Sequence, residues 1–183
     1  MEKLRLGVMC SGNGTNFENI LRTCTTDEVV LMIANKQQCG AFKRAKKFGI
    51  PCAYSKNESW IINEFKWAGV DLIVLAGYMR IISPTFVESF PNRIINIHPS
   101  LLPKYKGLHA IEQALDSGDD VTGVTVHYVN NELDGGEIIL QREVPILPDD
   151  DINSLTKSIQ RLEYSILPEA IKYVKQRVAT KVC

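Results

Sequence analysis

The sequence has no excess charge of either sign, no long apolar run and no paired cysteines, and each absence removes a class of function. Lys plus Arg is 21 and Asp plus Glu is 21, so the formal net charge is zero. Proteins that hold nucleic acid or a membrane surface through charge lean basic, so neither partner is expected. No apolar stretch approaches the roughly 18 residues that suggest a membrane span. The five cysteines, Cys10, Cys24, Cys39, Cys52 and Cys183, are odd in number and widely spread. No Cys-x-x-Cys occurs, which excludes a zinc ribbon or a thioredoxin motif and suits reduced, mostly buried thiols. The three histidines, His98, His109 and His127, form no i,i+2 or i,i+4 pair, so no metal site is expected. Met1-Glu-Lys-Leu-Arg-Leu reads as the start of a strand with charges inside it, neither signal nor transit peptide, and a cytoplasmic protein is expected.

What is present fits one α/β domain over residues 1–183, with 45% hydrophobic and 23% charged residues. Residues 29–57 hold six basic residues and no acidic one, whereas residues 112–151 hold eleven acidic residues against Arg142. Most of these are solvated faces; part of the basic stretch could steer an anion. Strand-like runs at Leu4–Cys10, Val29–Asn35, Ile50–Tyr54, Asp71–Ala76 and Arg93–Ile97 alternate with helix-like runs at Phe17–Cys24, Ala41–Phe48 and Ser59–Ala68, and Ser83-Pro84 caps a short helix. That alternation predicts parallel β-α-β units, a Rossmann-like, mostly parallel twisted sheet with helices on both faces. After a loop at Ser100–Gly107 and a helix at His109–Asp116, Val121–Val129 and Glu137–Val144 predict an antiparallel hairpin. Asp149–Asp151 then precede a long helix over about Ile152–Gln176, with a kink expected at Pro168.

Between the first strand and helix lies Ser11-Gly12-Asn13-Gly14-Thr15-Asn16. Glycines there let backbone N–H groups approach an anion at a helix N-terminus; the other reading is a tight turn needing positive φ. The order G-x-G-x-x-F lacks the third glycine of a dinucleotide loop, and strand two ends in Asn35-Lys36 where a ribose-binding acid would stand. No Gly-Lys-Ser/Thr of a Walker loop follows. A small phosphate fits better than a dinucleotide.

Asn96 and His98 sit at i and i+2 near the end of strand five, where open α/β sheets place ligands, so both project to one side. An amide and an imidazole there can stabilise an oxyanion. Asp134, on the Leu133-Asp134-Gly135-Gly136 loop, could orient that imidazole or relay a proton, although spacing alone does not bring it near. A hydrogen-bonded strand-end histidine is the plain alternative for His98. His127 reads as structural, and His109 as a helix-opening residue.

Four segments, Ser11–Asn16, Leu75-Ala-Gly-Tyr-Met-Arg-Ile81, Ile95-Asn-Ile-His-Pro-Ser-Leu-Leu-Pro103 and Leu133-Asp-Gly-Gly-Glu-Ile-Ile-Leu-Gln141, together resemble the phosphoribosylglycinamide formyltransferases, folate-dependent enzymes of purine synthesis. The resemblance runs from Leu4 to about Val174. It implies one formyltransferase domain, with a ribonucleotide-binding half over 1–98 and a folate-binding and catalytic-loop half over 99–183. It implies catalysis by Asn96, His98 and Asp134, and ribonucleotide binding by Ser11, Gly12, Asn13, Gly14, Thr15 and Glu163, the last a surface residue by pattern alone. The folate pocket it implies is lined by Leu75, Met79, Arg80, Ile81, Ile82, Phe86, Val87, Ile94, Val129, Asn130, Glu132 and Leu133, whose apolar members otherwise read as core. The implied co-substrate is 10-formyltetrahydrofolate, with no metal and no nucleic-acid or membrane partner, in a monomer or homodimer. Lys106 stands where the family often has Pro, which bears on loop rigidity. Methionyl-tRNA formyltransferases and formyltetrahydrofolate hydrolases need further domains that 183 residues do not hold. A sugar-amine formyltransferase and a nucleotide-binding oxidoreductase module are the alternative readings.

Overall fold

The computed structural model describes residues 3–180, and the chain divides into two compact units between Asn96 and Ile97. In the first unit, β1 (Arg5–Cys10), β2 (Glu28–Ala34), β3 (Cys52–Tyr54) and β4 (Leu72–Leu75) alternate with α1 (Thr15–Thr23), α2 (Gly40–Phe48) and α3 (Glu58–Trp67). The short α4 (Pro84–Ser89) leads into β5 (Ile94–His98), whose last two residues begin the second unit. The strand order is β3-β2-β1-β4-β5 and every pair is parallel. Val8 pairs with Met32 on one side and Val74 on the other. Five consecutive residues of β1 and all four of β4 are buried, the signature of strands covered on both faces. Phe17 and Ile20 of α1, Ala41 and Ala45 of α2, Ile61 and Phe65 of α3 and Phe86 of α4 supply the helical half of this core. These are the i, i+3, i+4 spacings that put apolar residues on one helix face.

Helix starts are chemically marked. Asn57 Oδ1 accepts from Trp60 N–H at 3.1 Å, and Ser83 Oγ accepts from Phe86 N–H at 3.2 Å with Pro84 in the first turn. The expected start of α1 at Phe17 moves back to Thr15, because Gly14, at φ 72°, ends the loop sooner by turning the chain in the left-handed region.

In the second unit, α5 (Ala110–Ser117) precedes β6 (Val121–Tyr128), β7 (Ile138–Pro145) and α6 (Ile152–Thr180). The strand order continues β5-β6-β7, and β6 and β7 pair antiparallel from Val121–Pro145 to His127–Ile138. Between Val126 and His127 the register slips, leaving Ile139 as an extra residue on β7. Such a bulge re-aims neighbouring side chains. β7 alternates exposed and partly buried residues, and charged side chains with a terminal Pro suit a strand at a sheet edge. Asp151 caps α6: its Oδ1 accepts from Ser154 N–H at 2.8 Å, and Ser154 Oγ accepts from Asp151 N–H at 2.9 Å. α6 packs on both β6 and β7 and continues through Pro168 to Thr180, past the expected end at Gln176. No helix among the described residues is long and apolar enough to cross a membrane.

Candidate active site

The loop after β1 is built from the backbone outward. Ser11 is 2% exposed; its N–H donates to Gly77 O at 3.1 Å, and its hydroxyl donates to Asn35 Oδ1 at 2.7 Å while accepting from Met79 N–H at 2.7 Å. Ser11 is thus a strut, and Asn35, at the end of β2, is its partner. Gly12 and Asn13 are exposed, Gly14 is buried and Thr15 opens α1. Gly14 has to be glycine: a Cβ there would lie 2.7 Å from Ala41 Cβ. On the far side, Gly12 O accepts from Ala41 N–H at 3.3 Å and from the Cys39 thiol, and Asn13 O accepts from Arg44 Nε at 2.6 Å. Lys43, Arg44 and Lys47 line a cavity of about 360 Å³ together with Asn13, Glu18 and Gly40. Burial pushes the Cys10 thiol far above its usual range, so it is an inert core group.

Also in the first unit, Leu75, Ile82, Phe86 and Ile94 are buried, and Phe86 packs on Phe90 with ring centroids 5.6 Å apart. Val87 is half-buried, and Met79, Arg80 and Ile81 are exposed, with Arg80 Nη1 donating to Lys56 O at 3.4 Å. Met79 at 63% and Ile81 at 76% exposure are apolar side chains left outside the core.

The second unit assembles a histidine–carboxylate cluster from four segments. His98 ends β5 with 5% exposure. Its Nε2 lies 2.8 Å from Tyr105 O, an acceptor only, so Nε2 carries hydrogen. Its Nδ1 faces Asp134 Oδ2 at 3.5 Å. The same Oδ2 accepts from Gly107 N–H at 2.8 Å, while Oδ1 faces His127 Nε2 at 3.6 Å. His127 Nδ1 in turn lies 2.8 Å from Tyr128 O. Burial pushes the Asp134 carboxyl up, but the facing His127 side chain, the Gly107 N–H and the His98 imidazole outweigh it and hold the group below its usual range.

Loop 100–107 is fixed where it must meet Asp134. Thr125 Oγ1 donates to Ser100 O at 2.7 Å and accepts from Leu102 N–H at 3.1 Å and from Gln141 Nε2 at 2.8 Å. Tyr105 adopts φ 55°, which turns its carbonyl onto His98. Asp134, at φ 47°, sits in a turn that Gly136 allows to close: a Cβ at Gly136 would lie 1.7 Å from Tyr128 O. Lys106, the residue whose bearing on loop rigidity the sequence raised, pairs with Glu132 at 2.8 Å and ties the two loops together. Val129 is half-buried, and Asn130, Glu132 and Leu133 are exposed along the 130–136 turn. Glu163 is half-buried on α6.

His98 and Asp134, 36 apart in sequence, therefore meet, and the loop residues Ser11 to Thr15 form one structure. His127 joins the cluster although its mid-strand place suggested a structural residue; its alternation with Thr125 on β6 puts both on one face, but only the bulged pairing reveals the reach to Asp134. Asn35, Arg44 and the Tyr105 carbonyl were also outside the sequence expectation. Asn35 had a legible signal, since it ends the strand beside β1, whereas a main-chain carbonyl has none.

These features define a Rossmann-like α/β protein with a glycine loop after its first strand and a buried His–Asp pair at the end of its fifth. The formyl transferase family matches over residues 4–171, and the chain belongs to it. It is similar to the phosphoribosylglycinamide formyltransferase of Haemophilus influenzae, 41% identical over 182 residues that cover 92% of this chain and 86% of that protein. The phosphoribosylglycinamide formyltransferase of Escherichia coli is 39% identical over 183 residues, covering 93% and 86% of the two chains. Among solved structures, glycinamide ribonucleotide transformylase 1 from Symbiobacterium toebii superposes with a TM-score of 0.92 at 38% identity, over 96% of this chain and 89% of that one.

Proposed function

We propose that the chain transfers the formyl group of 10-formyltetrahydrofolate to the amino group of 5'-phosphoribosylglycinamide in purine biosynthesis. The observation that carries this reading is the His98–Asp134 pair at 3.5 Å, with His98 Nε2 anchored on Tyr105 O. An imidazole fixed through one nitrogen presents the other in a constant direction. The formyl donor supplies an activated carbonyl carbon when bound. Asn96, two residues before His98 on β5, and the His98 ring, when it carries a proton on Nδ1 as well as on Nε2, stabilise the negative charge that develops on the formyl oxygen. Asp134, held ionised, orients His98 and accepts from a water that moves the proton from the attacking amine to the leaving nitrogen.

Gly12, Asn13, Gly14 and Thr15 bind the ribonucleotide phosphate, with Ser11 holding the loop in shape, and Glu163 contacts the ribose end. Met79 and Ile81, exposed on the first unit, offer apolar surface for the pterin. Leu75, Ile82, Phe86, Val87 and Ile94 are the further pterin-binding residues of this reading in the first unit, and Val129 and Leu133 those in the second. Main-chain groups near Arg80, Asn130 and Glu132 read its polar edge. Both partners are small molecules, and the enzyme works in the cytoplasm as a monomer or homodimer. Mixing 10-formyl-5,8-dideazafolate with glycinamide ribonucleotide and following absorbance tests the reading: transfer supports it, and transfer only to a sugar amine overturns it.

A further inference from the structure

We infer that Arg44 is a positioning residue that aims the anion loop, an inference that rests on the proposed role of that loop. The argument is covalent geometry. In a trans peptide the C=O and the following N–H point in opposite directions. The carbonyls of Gly12 and Asn13 are both turned toward α2, the first onto Ala41 N–H and the Cys39 thiol, the second onto Arg44 Nε at 2.6 Å. The N–H groups of Asn13 and Gly14 therefore point away from α2, side by side, where α1 begins. Two adjacent N–H groups plus a helix start are the donors an oxyanion of phosphate takes.

Arg44 is itself fixed. Its Nη1 pairs with Glu18 Oε2, leaving Nε for the carbonyl. Glu18 is shared with Arg22, at 2.6 Å, and with Lys47, at 3.8 Å. Glu18 lies in the first turn of α1, so the guanidinium bridges the start of that helix and the tip of the loop. The helix comes close enough for this because residue 40 is glycine, where a Cβ would lie 3.0 Å from both Cα and Oδ1 of Asn13. Lys43 lines the same cavity, yet no hydrogen bond joins it to the loop among the described residues. Arg44 thus holds the loop by direction, and Lys43 has no hold on it. A lysine at position 44 would restore the charge but not the planar Nε–H.

The test compares Arg44→Lys, Arg44→Met and Lys43→Met with the wild type in steady-state assays at low and high salt, alongside thermal melts. Backbone amide NMR of Asn13 and Gly14 during titration with inorganic phosphate runs in parallel. Both Arg44 variants are expected to raise KM for the ribonucleotide about tenfold, at either salt concentration. They should leave kcat and the folate KM unchanged, and Lys43→Met should change nothing. Should Arg44→Met fail to fold, Arg44→Lys decides, since it keeps a cation beside Glu18. Wild-type behaviour in Arg44→Lys, or equal and salt-sensitive effects of Arg44→Met and Lys43→Met, overturns the inference in favour of charge steering. Phosphate that shifts neither amide in the wild type overturns the loop's role and this inference with it. Amide shifts combined with an unchanged KM in both Arg44 variants overturn this inference alone.

Discussion

His127 Nε2 faces Asp134 Oδ1 at 3.6 Å, whereas His98 faces Oδ2 of the same carboxylate. One carboxylate thus stands between two imidazoles, and each ring is held at its other nitrogen by a main-chain carbonyl, Tyr105 for His98 and Tyr128 for His127. At 3.5 and 3.6 Å both contacts are longer than most direct hydrogen bonds.

His127 is the test of that clamp. His127→Gln keeps a polar side chain on β6 but removes the ring facing Asp134. It should lower kcat by roughly tenfold, the scale of a lost interaction of about 1.4 kcal/mol, while KM for the ribonucleotide stays put. A variant with native kcat would make His127 a packing residue only.

The proposed role of His98 predicts a larger effect. His98→Ala should lower kcat by roughly a hundredfold or more, as for a lost oxyanion donor. The Tyr105 carbonyl loses its partner, costing about 1 kcal/mol, so the melting point should drop modestly. Turnover close to wild type in a folded His98→Ala protein would remove His98 from the chemistry.

The parallel half of the fold was legible because β2 and β4 read as nearly continuous apolar runs, and β1 and β4 are buried on both faces. Ser83-Pro84 and Asp151 announced their helices through side-chain chemistry that acts within one turn. The meeting of Asp134 with His98 was not legible from spacing. It depends on Tyr105 and Asp134 adopting positive φ and on the Gly107 N–H, and none of these leaves a periodic trace. Ser11 shows the opposite limit: its place in a glycine loop suggested a ligand contact, yet its hydroxyl is spent on Asn35 and Met79.

Two glycines of that loop should separate binding from folding. A Cβ at Gly12 meets no heavy atom within 4 Å, whereas one at Gly14 would sit 2.8 Å from Ala41 Cα with φ at 72°. Gly12→Val should therefore melt like the wild type but raise KM for the ribonucleotide far more than for the folate. Gly14→Ala should lose at least the roughly 1–2 kcal/mol that a left-handed backbone costs a residue with a Cβ. Melting curves and the two KM values check this; equal effects of Gly12→Val on both KM values would make the loop a turn without a phosphate.

Asp134→Asn carries the most information about the site. Asn tolerates the left-handed φ of 47° and keeps an oxygen for the Gly107 N–H, so the turn should survive. What it removes is the charge between His98 and His127. The carboxyl is held below its usual range by the His127 side chain, the Gly107 N–H and the His98 imidazole, against burial, which pushes it up. As pH falls, the unfolded chain therefore binds this proton before the folded chain does. The stability contributed by Asp134 is complete above the unfolded carboxyl value, about 3.9, and is lost as pH drops through the lower folded value. Asp134→Asn should consequently unfold in acid with a shallower dependence on pH below about 4, because one proton-linked group is gone. At neutral pH it should fold, bind the ribonucleotide with nearly native Kd, and lose most of its kcat, since neither the orientation of His98 nor a water-accepting charge remains. Acid titration of stability, Kd and kcat on this one variant separate the two roles: native kcat with an altered acid limb would confine Asp134 to holding the loop.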